Sequence, residues 1–259
     1  MGTRKIKKRR KKIYIAIIVI ISSIAIIASL RLAIRYLDYR SSDNNFNIVI
    51  PNEENYVLGI DVSSHQKDIS WKDVKNSGVE FCFIKATEGI DFIDKKYKEN
   101  YIQSKEEGIF VSAYHFFRFG KSGKEQAINF INTVAIEHLD MPPVVDVEKS
   151  GNYFSFSSVS QIQKDLREFI EEIEENYSVK PIIYTNEDGY KKYIKGSFDN
   201  YPLWLSRLYD KPSNNLWTFW QYSHSGSIKG IDHKVDLNLF YSDRDTFLKY
   251  IDDFRKQKR

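Results

Sequence analysis

At 259 residues, with 42% hydrophobic and 15% aromatic side chains, the chain has enough apolar material for one large domain, which excludes a disordered protein. Its net charge of +4 hides an asymmetry: residues 1–40 carry eleven Lys and Arg against the single acid Asp38, leaving 28 basic and 34 acidic residues, a net of −6, in residues 41–259. A body of that sign argues against a nucleic-acid partner, which requires a basic face along the phosphates.

The first predicted element is a membrane address. Residues 1–12 form a basic segment with eight Lys and Arg, and no charge occurs from Ile13 to Leu30. As a helix that run extends about 27 Å, close to the thickness of a bilayer core. It is too long and too rich in Ile for the apolar region of a signal peptide, and Arg31 and Arg35 follow it. Residues 13–34 are therefore expected to be an uncleaved transmembrane anchor. The positive-inside rule places the amino terminus in the cytoplasm and everything after about Arg40 outside. Residues 35–55, with the Asn-rich stretch Ser41–Asn55, read as a linker, and the folded domain is expected over residues 56–259.

In that domain, short β-branched and aromatic runs predict eight strands: Val57–Val62, Glu80–Thr87, Phe110–Phe117, Pro143–Glu148, Pro181–Thr185, Leu203–Leu208, Thr218–Tyr222 and Lys234–Phe240. Helical patterns lie between the early ones at 71–77, 95–107, 122–137 and 187–195, and after the last at 243–254. The clearest runs from Val159 to Glu175, with Ile162, Leu166, Phe169, Ile170 and Ile173 on one stripe and Ser158 and Gln161 as a capping box. The alternation predicts an α/β fold, a modified (β/α) barrel of eight strands, regular in its first half and short of helices in its second. The single cysteine, Cys82, lies within Phe81-Cys82-Phe83 and reads as a small core residue. No motif for a zinc site or a serine hydrolase occurs.

Two acids interrupt the apolar run Pro142-Pro143-Val144-Val145-Asp146-Val147-Glu148. Residues two apart on a strand share a face, so Asp146 and Glu148 are expected to point together into the barrel at its carboxyl end, where β/α enzymes place their chemistry. Mutual repulsion should raise the proton affinity of one of them. Asp61 in the first strand and Asp236 in the last occupy similar positions, and those strands are neighbours in a closed barrel. Aromatic and amide residues stand at other strand ends: Tyr114, Tyr184, Trp204 and Gln221. Each carboxylate alone fits a structural role, and each aromatic alone fits the core. Converging, carboxylates and aromatics without metal ligands suggest glycoside hydrolysis.

The motifs G-I-D-V-S-S-H-Q (59–66), F-I-K-A-T-E-G (83–89), S-A-Y-H-F-F-R (112–118), P-P-V-V-D-V-E (142–148), W-Q-Y-S (220–223) and V-D-L-N-L-F (235–240) together resemble glycoside hydrolase family 25. These are the lysozymes of the Chalaropsis type, N-acetylmuramidases of peptidoglycan. The resemblance covers about residues 57–250 and implies a β/α barrel with eight strands and few helices. It also implies cleavage of the β-1,4 bond from N-acetylmuramic acid to N-acetylglucosamine by water, with neither metal nor organic cofactor. Carried over, it makes Glu148 the general acid, protonated when substrate arrives, gives Asp146, charged beside it, the support of the sugar's acetamido group, and makes Asp61 and Asp236 the other site acids. Tyr114, Tyr184, Trp204 and Gln221 would line the sugar subsites. Gln66 and Ser112 depart from residues common in the family, and neither is a site acid. Family 18 chitinases also end a strand with D-x-E, but their motif needs Asp at 141 and 144, where this chain has Met141 and Val144. The expected protein is a bacterial enzyme anchored in the inner membrane, with its catalytic domain extracytoplasmic and peptidoglycan glycan strands as its partner. The alternative is a catalytically silent peptidoglycan-binding domain.

Overall fold

The computed structural model describes residues 56–152, 155–208, 210–213 and 217–258; the expected basic segment, membrane anchor and linker lie outside them. Among the described residues no helix is long and apolar enough to cross a membrane. The first strands are β1 (Val57–Val62), β2 (Phe81–Glu88), β3 (Phe92–Ile93) and β4 (Phe110–Phe116). They are followed by β5 (Val144–Asp146), β6 (Ile182–Asn186), β7 (Leu203–Ser206), β8 (Phe219–Gly226) and β9 (Val235–Phe240). All eight expected strands are present. β3 is an addition, folded back antiparallel on the end of β2 and outside the ring. The other eight close into a barrel, because β1 pairs in parallel with β2 and antiparallel with β9.

One feature departs from the expected alternation. β9 runs antiparallel to both of its neighbours, β1 and β8. The connection from Gly226 to Val235 is too short for the crossover that a parallel return needs, so the chain turns back as a hairpin.

The helices are α1 (Trp71–Asn76), α2 (Tyr97–Glu106), α3 (Gly123–Thr133), α4 (Val159–Tyr177) and, after β9, α5 (Arg244–Gln257). A turn at Glu187–Gly189 runs into a π-helical stretch at Tyr190–Ile194, and among the described residues no helix joins β7 to β8 or β8 to β9. The helix expected over 122–137 stops at Thr133, where Val134 turns to extended backbone; a 3-10 turn follows at Ile136–His138. α4 buries the predicted stripe Ile162, Leu166, Phe169, Ile170 and Ile173. Ser158 Oγ accepts from the Gln161 N–H at 3.2 Å, but the Gln161 side chain donates to Asp165 at 2.7 Å, so half of the expected capping box forms.

Two apolar layers result. One lies between strands and helices and includes Cys82, which is buried as expected. The other fills the barrel with Phe81, Phe83, Val144, Ile182, Trp204, Phe219 and Phe240. Its floor is closed by α5, whose Phe247 ring lies 5.5 Å from Phe81 and 5.2 Å from Phe240. Inward-facing residues change from apolar to polar towards the mouth: Phe81, Phe83, then Lys85 on β2; Ile182, then Tyr184 on β6; Phe219, then Gln221 on β8. On β9 the order is reversed, with Asp236 and Asn238 ahead of Phe240. The packed floor thus supports a polar cup at one end.

Candidate active site

All eight residues singled out in the sequence line one cavity of about 310 Å³ at that mouth: Asp61, Asp146, Glu148, Asp236, Tyr114, Tyr184, Trp204 and Gln221. They arrive from seven strands. The closed ring brings positions up to 175 residues apart to one cup, as in other β/α barrels.

Asp61 and Asp236 are register partners across β1 and β9. Asp236 reaches the mouth from the beginning of its strand, because β9 runs the opposite way to the others; it does not occupy the strand-end position that the sequence suggested. Gln221 Nε2 donates to Asp61 Oδ2 at 3.0 Å and lies 3.3 Å from Asp236 Oδ2. Asn238 Nδ2 gives Asp61 a second amide donor at 2.8 Å. Burial raises both acids. For Asp61 the two amides oppose that effect. For Asp236, burial and then the charge of Asp61 push the carboxyl up to about 9. The pair is best described as an Asp61 carboxylate accepting a hydrogen bond from a protonated Asp236.

Asp146 is the last residue of β5, and Glu148 follows after the sheet pairing ends. Val147 is held on both sides: its N–H donates to the Tyr184 carbonyl at 2.9 Å, and its carbonyl accepts from Thr185 Oγ1 at 2.7 Å. That anchoring keeps the two acids on one face. Burial, then the charge of Asp61, lifts Glu148 to about 7, with Lys85 pulling the other way. Burial and the charge of Glu148 push Asp146 well above the usual carboxylate range as well. Burial thus opposes the charged Asp146 that was expected, and its Oδ1 is buried without a hydrogen-bond partner among the described residues. A donor that enters with substrate would satisfy that oxygen and favour its ionised form.

The aromatic residues divide by role. Trp204 is only 2% exposed; its ring stacks on Phe83 at 4.2 Å and its indole N–H donates to Asn238 Oδ1 at 2.8 Å. Tyr184 donates to Gln221 Oε1 at 2.9 Å. Trp204 and Tyr184 therefore orient the two amides that hold Asp61, while Tyr114, half-buried, faces the cavity more openly. Gln221 is likewise committed to protein partners.

Several lining residues were not singled out in the sequence: Lys85, Phe116, Ser63, His65 and Gln66. The signal for Lys85 was present, since it follows the inward residues Phe81 and Phe83 at the same spacing of two. Ser63, His65 and Gln66 form the turn after β1, where Ser63 Oγ and His65 Nδ1 lie 2.9 Å apart and Gln66 closes a capping box. His115, beside Tyr114, faces away from the cavity. Its imidazole is bonded to Thr87 at 2.7 Å and Gln126 at 3.2 Å, and burial lowers it to about 3, so it is a neutral structural group.

Comparison with known proteins agrees with this geometry. The family described as "Glycosyl hydrolases family 25" matches residues 60–231. "Uncharacterized protein YegX" of Escherichia coli K12 is 33% identical over 232 residues, covering 86% of this chain and 83% of that protein. The "Autolytic lysozyme" of Clostridium acetobutylicum is 34% identical over 184 residues, 70% of this chain and 55% of that protein. A family 25 glycosyl hydrolase from Bacillus anthracis superposes with a TM-score of 0.70 at 34% identity, covering 78% of this chain and 96% of that structure. With the match spanning most of the folded domain, and the D-x-E strand at the centre of the cavity, the chain belongs to glycosyl hydrolase family 25.

Proposed function

We propose that this glycoside hydrolase is a lysozyme that cleaves the β-1,4 bond between N-acetylmuramic acid and N-acetylglucosamine in peptidoglycan, with Glu148 as general acid. The observation that carries this reading is the state of Glu148. Held in the cavity at about 7, it is protonated in a large fraction near neutral pH and has a buried acidic partner two residues away. A general acid works best when its pKa lies near the working pH. Glu148 gives its proton to the leaving oxygen. Asp146, with its unpartnered oxygen, accepts from the acetamido N–H of the reacting sugar. Asp61, whose charged form two amides favour against burial, faces the positive charge that builds up on that sugar in the transition state. A silent binding domain would need the cup but not an acid poised at neutrality.

The basic segment 1–12 and apolar run 13–34 support a location at the bacterial inner membrane, with the catalytic domain on the outer side. There the domain stands beside the wall. The test uses the full chain, solubilised in detergent, and its Glu148→Gln variant on purified peptidoglycan, followed by borohydride reduction. Reduced muramic acid ends produced by the parent protein alone are the expected result. Reduced glucosamine ends, or equal release by the variant, would refute the reading. Membrane placement is tested separately by protease treatment of spheroplasts, which should remove the domain from outside.

A further inference from the structure

An exposed aromatic ring stands beside Lys85, which lines the cavity. β2 and β3 form a hairpin whose tip leaves Ile90, Phe92 and Ile93 39%, 46% and 55% exposed. Phe92 and Ile93 are consecutive on β3 and face opposite sides of the ladder; Ile93 lies on the side of buried Thr87, and Phe92, opposite Glu88, presents its ring on the side of the cavity. The hairpin is also held firmly. Asn129 on α3 donates to the carbonyls of Gly89 at 3.0 Å and Phe92 at 3.2 Å, and the Asp94 N–H bonds to the Ala86 carbonyl at 2.8 Å.

Lys85 makes this ring continuous with the cavity. Its Nζ lies 5.6 Å from the centre of the Phe92 ring and 5.0 Å from that of Phe116, which lines the cavity. The ammonium has three donors, and one is used on Glu88 Oε2 at 2.6 Å. Arg118 holds the other oxygen of Glu88 at 2.9 Å, which fixes the carboxylate in place. Asp91 stands at the tip between Ile90 and Phe92, so the local charges nearly balance. A ligand here meets apolar surface and directed donors rather than a charged field.

On the muramidase reading, the sugar in the cup carries a lactyl ether, and in the intact wall that ether bears a peptide of small methyl-bearing residues, amide carbonyls and a carboxylate. We propose that the β2–β3 hairpin, with Lys85 beside it, is a subsite for this peptide, so that the enzyme prefers peptide-substituted glycan to bare glycan. The methyl groups cover Phe92 and the stem of Lys85 beside it. Lys85 donates to the lactyl or first peptide carbonyl at the boundary between hairpin and cup. This inference rests on the muramidase reading and adds a substrate preference to it.

The test compares two soluble glycan oligomers of equal length, one bearing peptides and one stripped of them by an amidase. The full chain is assayed beside a Phe92→Ser variant and a Phe92→Leu variant. The expected result is a preference of about tenfold or more in kcat/KM for the peptide-bearing oligomer, the order obtained by burying an apolar side-chain face. Phe92→Ser should lose that preference while keeping its rate on bare glycan, and Phe92→Leu should keep most of it. Equal kcat/KM of the parent on the two oligomers, or an equal loss on both in Phe92→Ser, would overturn the inference and leave the muramidase reading standing. Failure to cut either oligomer would overturn both.

Discussion

Asp236 faces Asp61 directly across the β1–β9 ladder, and one amide, that of Gln221, lies between them at 3.3 Å and 3.0 Å. The two acids are unequal because Asn238 serves only Asp61. Asp236, raised to about 9, carries the proton at neutral pH. Asp236→Asn keeps a neutral donor of the same shape, so its activity at pH 7 should stay within about tenfold of the parent. Asp61→Asn removes the charge itself and should cost about a hundredfold or more. Stability has a definite sign here. An unfolded Asp releases its proton near pH 4, whereas folded Asp236 keeps it to about 9, so the folded chain binds more protons in that window and stability falls as pH rises through it. Thermal melting from pH 5 to pH 9 should show a shallower fall for Asp236→Asn than for the parent; parallel curves would contradict the assignment.

Glu148 sets the alkaline limit of activity. Its acidic form is the working one, and burial with the charge of Asp61 places its ionisation at about 7. The kcat/KM profile should therefore decline above a midpoint near pH 7. Glu148→Gln cannot supply a proton at any pH and should lower kcat about 10²–10⁴-fold without a matching change in glycan binding. Binding lost to the same extent as turnover would assign Glu148 a structural role.

Lys85 offers a handle on that limit from a neighbouring strand. Its charge pulls down both Glu148 and Asp146. Lys85→Met retains much of the stem's packing against Phe116 and removes the charge, so both carboxyls should hold their protons to higher pH. The alkaline limb of kcat/KM should move upward, whatever happens to the maximum. A downward shift, or none, would refute a direct influence of the Lys85 charge on the two acids.

Much of the barrel was legible because strands announce themselves by β-branched and aromatic runs and α4 by its apolar stripe. The direction of β9 was not, since an alternation of period two reads the same in either sense; only the short link from Gly226 to Val235 points to a hairpin. The convergence of Asp61, Asp146 and Glu148 was legible from their positions late in apolar runs, whereas Asp236 joins them from the start of its strand because β9 runs the other way. The tasks of Trp204 and Gln221 were not, because a pattern shows which residues face inward but not which partners meet them there. Asn238 was hidden for that reason within its own quoted motif, though it sits two residues from Asp236. Likewise, the high proton affinity of Asp146 depends on burial by distant strands, and nothing in Asp146-Val147-Glu148 alone encodes it.

Gly59 tests the floor beneath the site. It stands on the inward face of β1, two residues before Asp61, and a Cβ built on it would lie 2.2 Å from the Phe81 ring. That ring is buried completely and packs against Phe83 at 5.6 Å and Phe219 at 5.2 Å, so it has no room to retreat. Glycine is needed here for the space it leaves rather than for an unusual backbone angle. Gly59→Ala should destabilise the domain by about 1–3 kcal/mol, the usual cost of forcing atoms into a packed core. Phe81→Leu in the same chain should recover part of the loss by clearing that space, even though the single Phe81→Leu change is itself destabilising. Denaturant unfolding of the four proteins measures the coupling. Additive losses would show that β1 shifts to accommodate the methyl group, and Asp61 would then shift with it, lowering kcat in Gly59→Ala beyond what its folded fraction explains.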